Sequence, residues 1–148
     1  MKSSDLPVLL ASSRTTPSGA ERYPLDRIRM QKAVFLLTQR GPESWRSLYA
    51  YEPYNWGPYS GQLASDVRAL TDAQALTIEP VAGSSYGQYR ATAESERASA
   101  SVWESLPEEH KKFLRDVRRY VTSRSFQSLL REVYAAYPKF AVKSQFSG

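Results

Sequence analysis

The residues with the clearest potential for acid–base chemistry are His110 and the two glutamates that precede it, Glu108 and Glu109. An imidazole held by a carboxylate can act as a general base or activate a nucleophile. However, His110 is the single histidine among 148 residues, and no serine motif accompanies it. We therefore expect His110 to be an ordinary surface residue, beside glutamates that stabilise a helix N-terminus through the helix dipole.

The residue types give little support for a metal site or a phosphate-binding site. The chain has no cysteine, so disulfides, thiolate zinc ligands and cysteine nucleophiles are excluded. Asp66 and Asp72 lie six positions apart, a spacing that does not bring two carboxylates together on a helix. Residues 83–87 are too poor in glycine for a phosphate-binding loop and suit a hairpin turn better. The sequence thus predicts a protein that is not an enzyme and has no metal site and no cofactor.

The most distinctive segment is the aromatic stretch at residues 49–60, which holds four tyrosines, a tryptophan and two prolines. Aromatic residues favour strands, so residues 49–56 predict a short strand. We expect Gly57 and Pro58 to end that strand, with Gly57 in an unusual backbone conformation. Ser60 is then a candidate N-cap for the helix that follows.

The aromatic stretch has two interpretations. Tyrosine and tryptophan on a strand most commonly belong to a core and its rim. Yet one face of a strand cannot hold all of these rings, so some should be exposed. Exposed tyrosine, tryptophan and arginine are the types that dominate protein interfaces. The candidate partner-binding residues are Tyr51, Tyr54, Trp56, Tyr59, Arg29 and Lys32.

The formal net charge of +5 indicates which kinds of partner the chain would attract. Residues 14–46 carry seven basic and three acidic groups, and residues 107–124 carry six and three. A basic surface attracts nucleic acid or an acidic protein, although solvated helix faces are the simplest alternative. No apolar run is long enough to span a membrane, and the apolar stretch near the start is too short for a signal peptide. We expect a cytoplasmic protein with no membrane partner.

Apolar periodicity, with proline and glycine at the boundaries, predicts an α+β and mainly helical chain. We expect a single domain with a winged-helix-like core at 5–92, C-terminal helices at 93–138 and a loosely ordered tail at 139–148. In that tail Phe140, Val142 and Phe146 could still dock. A β-hairpin is expected from strands at 76–81 and 86–92. The predicted helices span residues 5–11, 24–40, 60–73, 94–106, 107–122 and 126–137.

A winged-helix order makes a DNA-binding transcriptional regulator the alternative function. Its recognition helix would be residues 60–72, because that element would enter the major groove. The helix has a net charge of −1, from Asp66, Asp72 and Arg68, and the wing tip at 83–85 has no basic residue. These charges favour a protein-binding module over a DNA reader, and both hypotheses remain open.

Two motifs resemble one known family. Residues 25–37 (LDRIRMQKAVFLL) are similar to the Gln-Lys helix of Panacea-type antitoxin domains, the SocA-like and phage-associated proteins. Residues 56–60 (WGPYS), followed by Leu63, Asp66, Val67 and Leu70, are similar to the Gly-Pro-Tyr-Ser turn and helix of that family. The resemblance covers residues 5–92. The chain departs from the pattern in having Ala33 instead of leucine and no glycine at 73–76, before the strand.

The resemblance implies a function as well as a fold. Panacea-type domains act as antitoxins, which neutralise a cognate toxin by direct binding or by delivering it to a protease. Such a domain has no catalytic residues. The resemblance therefore implies that this chain binds a cognate toxin or another protein.

Overall fold

Helices and two small antiparallel sheets make up the computed structural model, which describes residues 1–17, 19 and 21–145. The predicted α+β, mainly helical class is confirmed. The helices are α1 (Asp5–Ala11), α2 (Arg27–Arg40), α3 (Gly61–Asp72), α4 (Ala93–Ala98), α5 (Ala100–Ser105), α6 (Glu108–Thr122) and α7 (Phe126–Ala136). The strands are β1 (Glu52–Tyr54), β2 (Gly57–Tyr59), β3 (Leu76–Glu79) and β4 (Gln88–Ala91). Two short 3-10 helices span Glu43–Trp45 and Pro138–Ala141.

Helix α2 is the central buried element, as its apolar pattern predicts. Every residue from 29 to 38 is buried. Phe35 is fully buried, and the rings of Tyr51, Tyr137 and Phe140 contact it edge-on at centroid distances of 4.9–5.1 Å. The helix begins at Arg27 and not at Pro24, because the Asp26 side chain accepts a hydrogen bond from the Arg29 N–H and caps the helix there.

The aromatic stretch is a hairpin and not the single strand predicted for residues 49–56. Strands β1 and β2 pair with Tyr54 opposite Gly57 and Pro53 opposite Pro58. Gly57 has a φ of +98°, the unusual conformation expected, but it follows the turn and starts a second strand. Pro58 is tolerated because it faces Pro53 next to the pair that closes the turn, where antiparallel partners exchange no hydrogen bonds. We call β1, β2 and their turn the aromatic hairpin.

Ser60 is the N-cap of α3, as predicted, and its hydroxyl accepts a hydrogen bond from the Leu63 N–H at 3.1 Å. The helix ends in a Schellman motif, in which the Ala75 N–H donates to Leu70 and the Gln74 N–H donates to Thr71. Gln74 occupies the left-handed position of this motif with a φ of +61°. This is the segment where the resembled family carries a glycine.

Strands β3 and β4 form the predicted second hairpin, which leans against the start of α2. The register pairs Leu76 with Ala91 and Glu79 with Gln88. The Tyr89 N–H donates to the Leu25 carbonyl at 2.9 Å. This hydrogen bond holds the hairpin over the entrance to α2. The order of elements is the one expected for a winged helix, and that finer assignment stays a prediction.

The C-terminal helices join the same core as the N-terminal elements. Helix α6 packs on α2, and its fully buried Arg118 forms a two-point ion pair with Glu21 at 2.9 Å for each contact. The helix expected at 94–106 is broken at Ser99, whose hydroxyl bonds the Glu96 carbonyl and accepts from Arg14. The single-domain organisation stays a prediction, with one hydrophobic cluster drawn from both parts of the chain.

Residues 139–145 of the predicted tail pack more closely on the rest of the chain than expected. Phe140 is buried against Phe35, and the Gln145 N–H donates to the Asn55 carbonyl at 2.9 Å, so the chain is docked beside the aromatic hairpin as far as residue 145. Val142 does not dock, since it is 73% exposed. Phe146 lies outside the described residues.

Candidate partner-binding groove

A concave groove of about 600 Å³ lies between α2, α3 and the two hairpins. The aromatic hairpin forms one wall, and the β3–β4 hairpin forms the opposite wall. Helices α2 and α3 supply the floor between them. Its aromatic lining residues are Tyr54, Trp56, Tyr59, Tyr86 and Tyr89. We call this feature the aromatic groove.

Exposed apolar surface is concentrated in the aromatic groove. Six large hydrophobic side chains are exposed within residues 1–17, 19 and 21–145: Met1, Tyr54, Trp56, Ile78, Tyr86 and Val142. Four of them line the groove, and only Met1 and Val142 lie elsewhere. Scattered exposed apolar residues are common, but a cluster in one concavity is typical of a binding site.

Local packing fixes the orientation of the exposed rings. Tyr54 stacks on Tyr59 at a centroid distance of 4.8 Å, since Tyr54 lies opposite Gly57 and Tyr59 is its diagonal neighbour on the same face of the hairpin. The Trp56 ring contacts Phe126 of α7 edge-on at 5.7 Å and remains 41% exposed. These rings are held in place before any partner arrives, which reduces the entropy lost on binding.

Tyr51 does not join the other predicted binding aromatics. It packs against Phe35, and its hydroxyl is buried without a hydrogen-bond partner among the described residues. Burial raises the pKa of the Tyr51 hydroxyl well above its ordinary value. The expectation that Tyr51 contacts a partner is corrected, because Tyr51 directly precedes β1 and packs its ring on Phe35 in the core.

Arg29 is also not available to a partner. Its side chain is 8% exposed, and it forms an ion pair with Asp26 at 2.8 Å. The same guanidinium donates to the carbonyls of Val121 and Arg124, so it joins α2 to the end of α6. The predicted partner-binding role of Arg29 is corrected to a structural one.

Lys32 lines the groove, but at its floor and not on the surface. The residue is 3% exposed, and its amine donates one long hydrogen bond of 3.4 Å to the Pro58 carbonyl. Loss of solvation on burial lowers the pKa of Lys32 to about 7, and the nearby charge of Asp26 opposes part of that shift. Burial of this amine therefore disfavours its charged form.

The two motifs behind the family resemblance form one structural unit. The side chain of Gln31 donates to the Ser60 carbonyl and accepts from the Ser60 N–H, at 3.0 and 2.9 Å. Lys32 contacts the preceding residues of the same segment: its amine donates to the Pro58 carbonyl at 3.4 Å, and a Cβ on Gly57 would lie 2.9 Å from the Lys32 Cε. The Gln-Lys pair thus anchors the turn that carries the aromatic residues.

The β3–β4 hairpin adds groove residues that the sequence did not indicate. Tyr86 and Ile78 are both 49% exposed, and the Arg27 guanidinium lies 4.3 Å above the Tyr86 ring. Arg68 of α3 also lines the groove. The hairpin itself was predictable, but its placement against α2 depends on long-range hydrogen bonds that leave no local signal.

His110 is half-buried and is not the exposed residue that was expected. Its ring contacts Trp45 edge-on at 5.5 Å, and its Nε2 lies 3.9 Å from Glu109. The described part of the chain contains no group of three or more potential metal ligands. In the same part of the chain, none of the helices has the length and apolar character needed to traverse a bilayer.

A scan of protein-family models gave no match to this chain, and a search of curated proteins gave none either. The resemblance to Panacea-type antitoxin domains therefore stays a prediction.

Proposed function

We propose that this protein is a non-catalytic protein-binding module that holds a segment of a cognate protein in the aromatic groove. The observation that carries the proposal is the clustering of four of the six exposed large hydrophobic side chains in one concavity. Well-packed aromatic anchors of this kind dominate the free energy of protein–protein binding. The groove volume is within the range that encloses a ligand of several side chains.

The partner is proposed to be acidic. The net charge of +5 favours association with a negatively charged protein. Arg27, Lys32 and Arg68 line the groove, with Asp72 as the acidic counterpart. A partner segment carrying apolar and acidic residues would complement both the rings and the charge.

The family resemblance suggests the biological setting of this binding. The proposal is that the chain acts in the cytoplasm as an antitoxin, which neutralises a toxin directly or by delivering it to a protease. The Gln-Lys helix and the Gly-Pro-Tyr-Ser turn support this setting, because both contribute to the groove.

DNA reading by α3 is less favoured. Asp66 of α3 is engaged by the Tyr49 hydroxyl and the Gln62 amide, and Asp72 adds a second negative charge. The wing tip at 83–85 presents no cation to a phosphate backbone. A recognition surface without net positive charge binds DNA weakly.

Co-expression of this chain with the protein encoded beside its gene tests the proposal. We expect the two proteins to co-purify as a complex that high salt weakens but does not dissociate, because salt screens the surface charges and not the burial of the aromatic rings. Binding to its own promoter DNA, with log affinity falling by about 0.9 per phosphate contacted as log salt rises, would favour the regulator instead. Such binding without a recovered protein partner would contradict the proposal.

A further inference from the structure

The amine of Lys32 is an under-satisfied donor at the floor of the aromatic groove. An ammonium group has three N–H donors. Among the described residues, its hydrogen-bond acceptor is the Pro58 carbonyl alone, at the long distance of 3.4 Å. With 3% of the residue exposed, water cannot satisfy the remaining donors well. The arrangement leaves capacity for a further acceptor.

The groups around Lys32 do not supply that acceptor. Asp26, the N-cap residue of α2, is the carboxylate whose charge acts on Lys32, and it is already engaged by Arg29 at 2.8 Å. From α7 the contact near the amine is the apolar side chain of Leu130, beside Gly57. None of the described residues forms an ion pair with Lys32.

The aromatic groove provides the route to this amine. Lys32 lines the groove together with Gly57, and the exposed rings of Tyr54 and Trp56 line the same groove. A carboxylate that enters between the rings would meet this amine in an apolar, poorly hydrated setting and would favour its charged form. Charge-assisted hydrogen bonds are strongest in such settings, since low dielectric strengthens them.

We propose that Lys32 is a carboxylate-binding site, and that the partner protein inserts an acidic side chain between the aromatic rings to reach this amine. This inference rests on the proposed protein-binding function and names the group that the groove recognises. The occupant is an acidic segment because three of the four charged residues that line the groove are basic. A carboxylate bound here would also keep Lys32 protonated.

The site can be probed without knowing the partner. The probe is 3-phenylpropionate, which has one ring and one carboxylate, and its uncharged analogue is 3-phenylpropionamide. Binding is followed by NMR through the Gly57 amide and the Trp56 indole signals. We expect the carboxylate to bind at least about tenfold more tightly than the amide, because only the carboxylate pairs with the cation.

Two variants test whether a preference for the carboxylate probe depends on Lys32. Lys32→Met keeps the apolar stem and removes the amine, and it should bind the two probes equally. Lys143→Met removes an exposed lysine outside the groove and should keep the preference. Thermal unfolding checks that each variant is folded. Equal binding of both probes by the unchanged protein, or a preference that survives in Lys32→Met, would overturn the proposal.

The test separates this inference from the proposed function. A complex with the co-encoded protein that is weakened by Trp56→Ala but not by Lys32→Met would overturn the carboxylate site and leave protein binding intact. In a second case, the probes show a carboxylate preference that depends on Lys32, but the complex tolerates Trp56→Ala. This result would support the anion site. That second result would contradict the groove as the protein interface.

Discussion

Gly57 shows how one backbone position determines the shape of the groove. Its φ of +98° is unfavourable for any residue with a side chain, and a Cβ would approach the Lys32 Cε at 2.9 Å and the Leu130 Cδ2 at 3.0 Å. Glycine therefore permits both the reversal of the aromatic hairpin and its contact with α2. This requirement was predictable from the sequence, although the reversal itself was not.

Gly57→Ala should destabilise the protein by at least about 2 kcal/mol, since it combines backbone strain with two close contacts. The matched control is Gly83→Ala. Gly83 also has a positive φ, of +80°, but no heavy atom lies within 4 Å of its added Cβ. Urea unfolding of both variants measures the difference. Equal losses of stability would show that the contacts with Lys32 and Leu130 do not matter.

Lys32 gives the folding stability a characteristic dependence on pH. Burial lowers its pKa from 10.5 to about 7. Between those two values the unfolded chain binds more protons than the folded chain, so stability should rise with pH across that window. Below about pH 7 both states carry the charge, and the full cost of burying it is present.

Lys32→Met should therefore be more stable than the unchanged protein near neutral pH, with a difference that shrinks toward pH 10. Urea unfolding at several pH values measures this difference. Lys143→Met serves as the control, because its lysine is exposed and should leave the pH dependence unchanged. Parallel stability curves for Lys32→Met and the unchanged protein would contradict the burial of this amine.

The backbone is strained just after the end of α3. Gln74 holds the left-handed position of the Schellman motif with a φ of +61°, although glycine suits that position best. Gln74→Gly should stabilise the protein by about 0.5–1 kcal/mol, because removal of the Cβ relieves the strain. Gln74→Ala, which keeps a Cβ, should show no such gain. A thermal melt in which Gln74→Gly loses stability would contradict this account.

The elements themselves were predictable where the signal is local. The N-cap at Ser60 and the apolar stripe of α2 identify their helices from residue type and spacing. The aromatic hairpin was missed because Gly57 and Pro58 are typical of a strand end, and only the pairing of Pro58 with Pro53 reveals a second strand there. The burial of Arg29 was missed for a similar reason, since its acceptors come from Val121 and Arg124, far along the chain.

At the scale of the whole molecule, the groove exists because four separate segments converge. Gln31 holds the start of α3, and Tyr89 holds the second hairpin against the entrance to α2. The sequence indicated Tyr54, Trp56 and Tyr59, while Tyr86 and Ile78 join them only through the fold. The composition of one wall was thus predictable, and the concavity was not.

The central claim is that the aromatic groove binds a cognate protein, and the most direct test is the affinity of that complex measured by calorimetry. The unchanged chain is titrated with the co-encoded protein, alongside Tyr54→Ala, Tyr59→Ala and Trp56→Ala. Val142→Ala is the matched control, because Val142 is an exposed apolar residue outside the groove. We expect each groove variant to weaken binding at least about thirtyfold, equivalent to about 2 kcal/mol, and Val142→Ala to leave it unchanged. Groove variants that are folded and bind the partner as tightly as the control would contradict the account.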